Sequence, residues 1–446
     1  MPFTFLKYLQ PTHYFGLFKK NRVSAFPIVG NLSESVLKQL QVDLDYESDL
    51  ARDYDLSWQA IQAGYLGEAA CYTYFEAVPV RDNYHFIRKQ FHPVWVFYVL
   101  VMRLVTFHNP TTEISAWFGT RAIEKQNYYI KPIEYSDWNS FESTLIGQRP
   151  LVSVIIPTLN RYTYLTAVLR DFEKQDYSHF EIIVVDQSEP FQPAFYEQFD
   201  LDIRVIRQEE KALWLARNTA IQEAKGTLTA LSEDDVRIQP DWISTHLKCL
   251  DFFDAQVSAG VFYPEGQGIP KDRAFFALAS QFATGNAMLY KSVFEQVGLF
   301  DRQFEKQRMG DGEFGARVFL AGIKSVSNPF ASCIDVKAGT GGLREMGSWD
   351  AFRPSTFFAP RPIPSVLYYF RKYYGDSAAR WALLRTIPTS ILPYQFKTNR
   401  VLLVVGALLS LLLLPVILIQ VFSSWRLASR KLREGDKIPA FSKGEV

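Results

Sequence analysis

The sequence predicts an α/β fold whose centre, residues 149–345, is a parallel, right-handed doubly wound sheet. Three observations predict it. Short uninterrupted apolar runs recur, beginning with 152-VSVII-156 and 181-EIIVV-185, as strands buried on both faces require. Between them lie segments whose apolar residues fall at helical spacing. Polar residues gather just past the strand ends, where open α/β sheets bind their ligands.

Each element follows in order. Pro157 closes the first run. In 163-TYLTAVLRDFEKQ-175, Leu165, Val168, Leu169 and Phe172 share one helical face. The run 181–185 is a second strand ending at Asp186. A third strand is 203-IRVI-206, a second helix 213-LWLARNTAIQEA-224, and a fourth strand 227-TLTAL-231, which leads into Glu233, Asp234 and Asp235. Strands joined by single helices imply parallel, right-handed crossovers. Thr158–Arg161, Asp186–Ser188 and Glu233–Asp235 then share one rim. Three adjacent carboxylates repel one another. A solvated turn would explain them; their place on this rim reads instead as a site completed by a divalent metal and an anionic ligand.

Composition narrows the function classes. The chain has 446 residues, 48% hydrophobic, with a formal net charge of +1. That is enough for two domains, or one with additions, and there is no global field to attract nucleic acid. Cys71, Cys249 and Cys333 are far apart, so neither a disulfide framework nor a zinc knuckle is indicated. The first residues lack the apolar core of a cleavable signal. One segment, 401-VLLVVGALLSLLLLPVILIQVF-422, carries no charge. At about 1.5 Å per helical residue it is long enough for a hydrocarbon core of about 30 Å. Pro415 inside it leaves a kinked span or a re-entrant hairpin open. Basic residues flank both ends and mildly favour the hairpin.

Six segments, VSVIIPTLNRYTYLTAVL, EIIVVDQS, ALWLARNTAI, LSEDDVRIQPDW, TGNAMLYKSVFEQVGLFD and GDGEFGARVFLAG, resemble, in order and spacing, family 2 glycosyltransferases of the GT-A fold. The resemblance covers roughly residues 150–345. It implies a Rossmann-like domain and an inverting transferase that takes a nucleotide-diphospho-sugar, of UDP or dTDP type, with Mg²⁺ or Mn²⁺. It assigns Asp186 to a pyrimidine N–H and Thr158 to framing the base, unless Thr158 only satisfies its own turn. Arg161 and Arg217 are candidates for base or phosphates, or else braces of the sheet. Glu233 is assigned to the ribose hydroxyls, Asp235 to the metal, and Asp234 to the substrate-binding set between them. Asp311, in 310-GDGEFGARVFLAG-322, takes the place of the catalytic base that deprotonates the acceptor hydroxyl; a plain helix cap is the alternative. Glu313 binds the acceptor or orients the loop.

Two departures from the family pattern stand out. The first acid of the triplet is Glu233 where Asp is usual. No histidine follows His246, so the late metal ligand falls to Asp335, an oxygen donor suited to the same ions. The glycines of 339-GTGG-342, with Arg344, form a loop able to cover a diphosphate.

Residues 1–148 read as an N-terminal extension. Within it, 50–69 is either a packing helix or a decayed copy of a transferase end. The segment 93-PVWVFYVLVM-102 lies at a membrane surface or against the catalytic domain. Residues 346–446 read as a membrane-associated tail: an aromatic, basic interfacial helix within 361–388, then the apolar segment 401–422. The whole describes a membrane-associated enzyme of bacterial inner-membrane type, its catalytic domain cytoplasmic, extending a glycan or lipid-linked acceptor in cell-surface polysaccharide assembly. A non-catalytic sugar-nucleotide-binding subunit is the alternative. A nucleotidyltransferase would want a Gly-rich, lysine-bearing stretch after the first strand, and PTLNRYTY is not one.

Overall fold

The computed structural model describes residues 1–126, 131–280, 282–339, 341–342, 351–352, 356–392 and 400–441. The chain packs as two compact units: Met1–Glu134 with Phe370–Pro415, and Tyr135–Tyr369 with Val416–Val446. The sequence suggests a division near residues 148 and 345. Packing instead gives the second unit a lead-in from Tyr135 and returns the final segment to it.

The first unit has helices α1 (Asp49–Gln62), α2 (Val80–Gln90), α3 (Pro93–Val105) and α4 (Pro110–Gly119). Ser48 caps α1 by accepting from the amide of Ala51. The face Tyr54, Trp58 and Ile61 is buried. Trp58 meets Phe86 edge-on, with ring centroids 5.2 Å apart, and Phe86 stacks on Phe3 at 3.8 Å. Residues 50–69 are therefore an ordinary packing helix and its exit. Among the described residues before Val152 there is no strand, only a bridge between Pro27 and Cys71, so the region is not a second copy of the sheet. On α3, Val96, Val99 and Leu100 are buried while Val94, Phe97, Val101 and Val105 are exposed.

The second unit is built on a sheet of nine strands: β1 (Val152–Thr158), β2 (Phe180–Asp186), β3 (Ile203–Arg207), β4 (Leu228–Ser232), β5 (Val236–Ile238), β6 (Val257–Pro264), β7 (Ala277–Leu278), β8 (Asn286–Tyr290) and β9 (Ser325–Asp335). Their order is β3-β2-β1-β4-β8-β6-β9-β5, with β7 on β9. The first four strands are parallel, as the alternation of runs and helices predicts. The rest is not. β8 lies antiparallel to both β4 and β6, and β5 and β7 lie antiparallel to β9. The sheet is thus mixed, a correction to the all-parallel expectation. The acid turn joins β4 to the short β5, which pairs at the far end of the sheet.

Helices α5 (Tyr162–Phe172), α6 (Leu213–Glu223), α7 (Trp242–Phe252), α8 (Lys291–Val297) and α9 (Gly310–Leu320) flank the sheet's strands in sequence. Pro157 does not end β1, which runs to Thr158. Past Ile155, β1 is paired only with β2, so a residue without an N–H is tolerated there. β1 has β2 on one side and β4 on the other, and the chain order reverses between them. That is the switch point at which such sheets open a crevice beyond their carboxyl ends.

The apolar segment 401–422 is divided into α10 (Arg400–Leu412) and α11 (Leu414–Glu434). The break falls at Leu413, and Pro415 takes a first-turn position of α11, where its missing N–H costs nothing. Thirteen residues of α10 reach about 20 Å. Among the described residues no helix is long and apolar enough to cross a membrane. In α11, Ile417, Gln420, Ser424 and Ala428 form a buried face. Ser424 Oγ donates to Pro362 O at 2.6 Å, and Lys431 Nζ donates to Gln303 O at 2.5 Å. The aromatic stretch of helix Pro364–Thr386 also turns inward: Leu367, Tyr368 and Tyr369 are buried. Tyr368 donates to Asp301 at 3.2 Å and Asp436 at 2.9 Å, so this part of the expected interfacial helix serves packing.

In the first unit, Glu113 is buried and accepts from Arg103 Nε at 3.0 Å and Tyr84 Oη at 2.9 Å. Removing one partner of such a pair leaves an uncompensated charge costing about 3–5 kcal/mol. Glu113→Ala is therefore expected to lower the urea midpoint of the full chain sharply, and Glu113→Ala with Arg103→Met to recover most of the loss.

Candidate active site

The carboxyl ends of β1 and β4 frame a cavity of about 270 Å³. Its wall includes Thr158, Arg161, Arg217, Glu233, Asp234, Asp235 and Asp335. These are seven of the residues that the sequence singles out. Three more, Gln187, Arg308 and Lys337, also line it.

The acid turn is held by cations and hydrogen bonds. Thr158 Oγ1 donates to Asp234 Oδ2 at 2.8 Å. Arg161, at the cap position of α5, places Nη1 2.9 Å from Asp234 Oδ1 and 3.0 Å from Asp235 Oδ2. Its Nη2 donates to Gly341 O at 3.2 Å. A Cβ on Gly342 would stand 2.5 Å from the guanidinium carbon, so only glycine admits this approach. Burial pushes the Asp234 carboxyl up to about 6 against the pull of Arg161, and the neighbouring Asp235 adds to the rise. Arg217 is fully buried, donates to Thr284 O, and stands 3.5 Å from Glu233 Oε1. The Glu233 side chain keeps 41% of its surface exposed. The protein mass around it raises its carboxyl, with Arg217 opposing, and the solvent it still reaches limits that rise.

Asp235 and Asp335 face the same cavity from paired strands: Val236 is in register with Asp335, and the Val336 amide donates to Asp235 O at 3.1 Å. The Ala338 amide donates to Asp235 Oδ2 at 3.3 Å, and that of Lys337 to Asp335 Oδ1 at 2.9 Å. Among the described residues no cluster of three side-chain ligands forms. Two carboxylates nonetheless fit a hard cation of the Mg²⁺ or Mn²⁺ type, which takes its remaining ligands from phosphate and water.

Asp186 is not in this cavity's wall. It is fully buried; its Oδ2 accepts from Tyr162 Oη at 2.7 Å and Tyr196 Oη at 2.8 Å, and its Oδ1 from the Ser188 amide at 2.8 Å. The two tyrosines use the acceptor capacity that the sequence reserves for a base. Tyr162 lies inside the quoted PTLNRYTY, but nothing in its spacing marks it as a partner of a residue on the next strand.

A second cavity, about 210 Å³, shares Glu233 and Phe262 with the first. Asp311 lies on its wall together with Asp272, Arg273, Thr284 and Gly285. Asp311 is in the first turn of α9, exposed, with Oδ1 accepting from the Gly312 amide at 2.8 Å. Surrounding protein raises its carboxyl from the ordinary value, opposed by that amide and by Arg308; its exposure keeps the rise modest. Met309 before it is left-handed at φ 78°. Glu313 faces the other way: it is fully buried and paired with Arg317, whose Nη2 lies 3.0 Å from Oε2. It orients α9 and offers no atom to an acceptor. Arg344 lies outside the described residues, and of the loop 339–342 the described glycines are Gly339, Gly341 and Gly342.

Comparison with known proteins gives a consistent result. Residues 153–300 match the family model described as glycosyl transferase family 2. Glycosyltransferase GlyA of Streptococcus pneumoniae serotype 4 is 28% identical over 164 residues, covering 35% of this chain and 22% of that protein. The putative teichuronic acid biosynthesis glycosyltransferase TuaG of Bacillus subtilis is 30% identical over 105 residues, covering 22% and 42%. The chain thus spans less than half the length of either relative. Among solved structures, the mannosyltransferase PcManGT from Pyrobaculum calidifontis, in complex with GDP-Man and Mn²⁺, aligns with a TM-score of 0.44 and 18% identity over 71% of this chain and 96% of that one.

Gly310 offers a test of how the Asp311 turn is set. A Cβ there would lie 2.3 Å from Trp214 Cζ2, while one on Gly312 would meet nothing closer than 3.8 Å. Gly310→Ala is expected to lose about 1–3 kcal/mol by overpacking and to shift Trp214 fluorescence. Gly312→Ala should leave both the melting curve and the emission near those of the parent.

Proposed function

We propose, from the premise that residues 153–300 are a family 2 glycosyltransferase domain, that this protein transfers a sugar with inversion from a nucleotide-diphospho-sugar, of UDP or dTDP type, to an acceptor hydroxyl of a glycan or lipid-linked glycan. The observation that carries the proposal is the pair of cavities meeting at Glu233 and Phe262, one lined by the acid turn and its cations, the other by Asp311. A donor in the first presents its anomeric carbon at the junction. An acceptor in the second meets that carbon from the opposite side, which is the geometry of inversion.

Residues of this chain then take distinct parts. Arg161, Arg308 and Lys337 line the first cavity and bind the diphosphate. Thr158 and Gln187 flank the nucleoside, and Glu233 turns its exposed carboxylate to ribose hydroxyls. Asp235 and Asp335 would hold a Mg²⁺ or Mn²⁺ ion, which when bound supplies charge neutralisation for the departing diphosphate. Asp311 accepts the proton of the attacking hydroxyl, and Arg217 orients Glu233 at the junction.

General-base catalysis contributes about 10²–10⁴-fold. Asp311→Asn should therefore lower turnover by about that factor while calorimetric affinity for UDP stays within about twofold. Asp311 must be ionised to act, and its surroundings raise its pKa. Parent activity should fall with decreasing pH at a value above the ordinary carboxylate range, and Asp311→Asn should lose that limb. Equal turnover in the two proteins would remove Asp311 from the mechanism. Titration with UDP, dTDP and GDP checks the donor class.

The proposal also sets the enzyme on a membrane surface, its catalytic unit cytoplasmic, where a lipid-borne acceptor is within reach. Supporting this, α10 exposes Val401, Leu408, Leu411 and Leu412, and α3 exposes Val94, Phe97, Val101 and Val105, all within the first unit. Apolar surface of that extent is a feature of membrane-interaction sites. Leu408→Glu with Leu411→Glu should reduce co-flotation with anionic vesicles at least severalfold without changing UDP affinity; unchanged flotation would rule out α10 as the contact.

A further inference from the structure

We infer that Arg161 is the resident counter-cation of the donor cavity, and that it excludes a divalent cation from Asp235 until a diphosphate is present. This deepens the donor-site reading above and rests on it.

The charge balance of the cavity is the first observation. Four cationic side chains line it: Arg161, Arg217, Arg308 and Lys337. Four carboxylates do the same: Glu233, Asp234, Asp235 and Asp335. The wall is formally neutral without any ligand. A divalent cation entering alone adds an uncompensated double positive charge among four cations in a partly desolvated space. A nucleoside diphosphate entering alone adds a comparable negative charge. Together they nearly cancel, so each raises the affinity for the other.

Geometry identifies which residue enforces this. A single nitrogen of Arg161, Nη1, bridges Asp234 at 2.9 Å and Asp235 at 3.0 Å. The Asp235 oxygen that it engages, Oδ2, also accepts from the Ala338 amide. A metal ligated by that oxygen and the guanidinium compete for the same lone pairs and repel each other as like charges. The guanidinium is held from behind by Gly341 O, with Gly342 backbone close against it. It releases Asp235 only for an anion that offers as much, and a diphosphate offers paired oxygens matched to the guanidinium fork. Arg217, Arg308 and Lys337 have no such bridge to Asp235, so the exclusion belongs to Arg161.

The test is Mn²⁺ uptake by the full chain, read as loss of the free-ion electron paramagnetic resonance signal, with and without UDP. For the parent, UDP should tighten the apparent Mn²⁺ affinity by at least about 10-fold, within the range of ordinary coupling between sites. Arg161→Gln should bind Mn²⁺ without UDP at least about 10-fold more tightly than the parent, and UDP should add little further. Removing a buried cation strains the fold, so Arg161→Lys, which keeps the charge but not the planar fork, is measured beside it and should show a smaller gain. A parent that binds Mn²⁺ equally well with and without UDP overturns the inference. So does an Arg161→Lys protein, or a folded Arg161→Gln protein, with the parent's Mn²⁺ affinity. If the parent takes up neither UDP nor Mn²⁺ in each other's presence, the donor-site reading itself fails; UDP binding that persists while Arg161 variants leave Mn²⁺ uptake unchanged removes only the exclusion.

Discussion

Mutual repulsion among Glu233, Asp234 and Asp235 is the constraint around which the catalytic unit is arranged. Three carboxylates at the end of a buried strand cannot stay ionised together without nearby cations. The fold supplies two that are themselves buried: Arg161 against Asp234 and Asp235, and Arg217 against Glu233. Each arginine needs its own support. Arg161 depends on the cap position of α5 and on Gly341 and Gly342 close by. Arg217 depends on α6 and the Thr284 carbonyl before β8. The acid turn thereby ties together elements from residue 158 to residue 342. A buried ion cluster is weak evidence for stability, since desolvation opposes it. Its placement at the switch point of the sheet is more simply explained by a charged ligand.

The chain order of the sheet explains why these groups can meet. β1 and β4 are neighbours though residues 159–227 intervene, and the chain turns back across the sheet between them. The antiparallel half then brings Asp335 beside Asp235 by pairing β9 with the short β5. A purely parallel sheet would have no reason to return a strand end to that position. The loop before α9 is tied in from a third direction: Glu305 accepts from the Leu215 amide at the start of α6 at 2.8 Å, and Trp214 fills the space beside Gly310. A carboxylate at a helix start is favourable on its own account, and here it also fixes the height at which Asp311 is presented.

The strands of the parallel half were legible because burial on both faces leaves an unbroken apolar run, and helical period is visible in Leu165, Val168, Leu169 and Phe172. The mixed half was not. β5 and β7 have three and two residues, too short for any period, and antiparallel pairing is set by turns that no local pattern announces. Site residues followed the same division. Thr158, Arg161, Glu233 and Asp235 were visible as polar breaks after apolar runs. Arg308 and Lys337 were not, since isolated cations in loops look like solvated surface. Asp186 was visible as a strand-end acid, but its pairing with Tyr162 and Tyr196 depends on how α5 and the 193–198 turn fold back over β2. Glu313 illustrates the opposite error: its motif position suggested contact with substrate, whereas helical geometry sets Arg317 four residues on along the same face.

Length and apolarity alone suggested that residues 401–422 were an anchor separable from the enzyme. Packing gives a different physical picture. Leu413 and Pro415 divide the run, and the part beyond it becomes an amphipathic helix stitched to the catalytic unit through Gln420, Ser424 and Lys431. The chain then continues along α8 and the loop after it: Pro439 O accepts from the Leu299 amide, and Lys437 O from that of Arg302. Ile438 fills the space at Gly298, whose φ of 75° and missing side chain make room for it. Cutting the chain after residue 395 would remove not only apolar surface but also the brace beneath the turn that carries Asp311. Loss of membrane contact and loss of catalysis would then arrive together, for separate reasons. Point changes on the exposed face of α10 keep those two effects apart, because that helix contributes none of these braces.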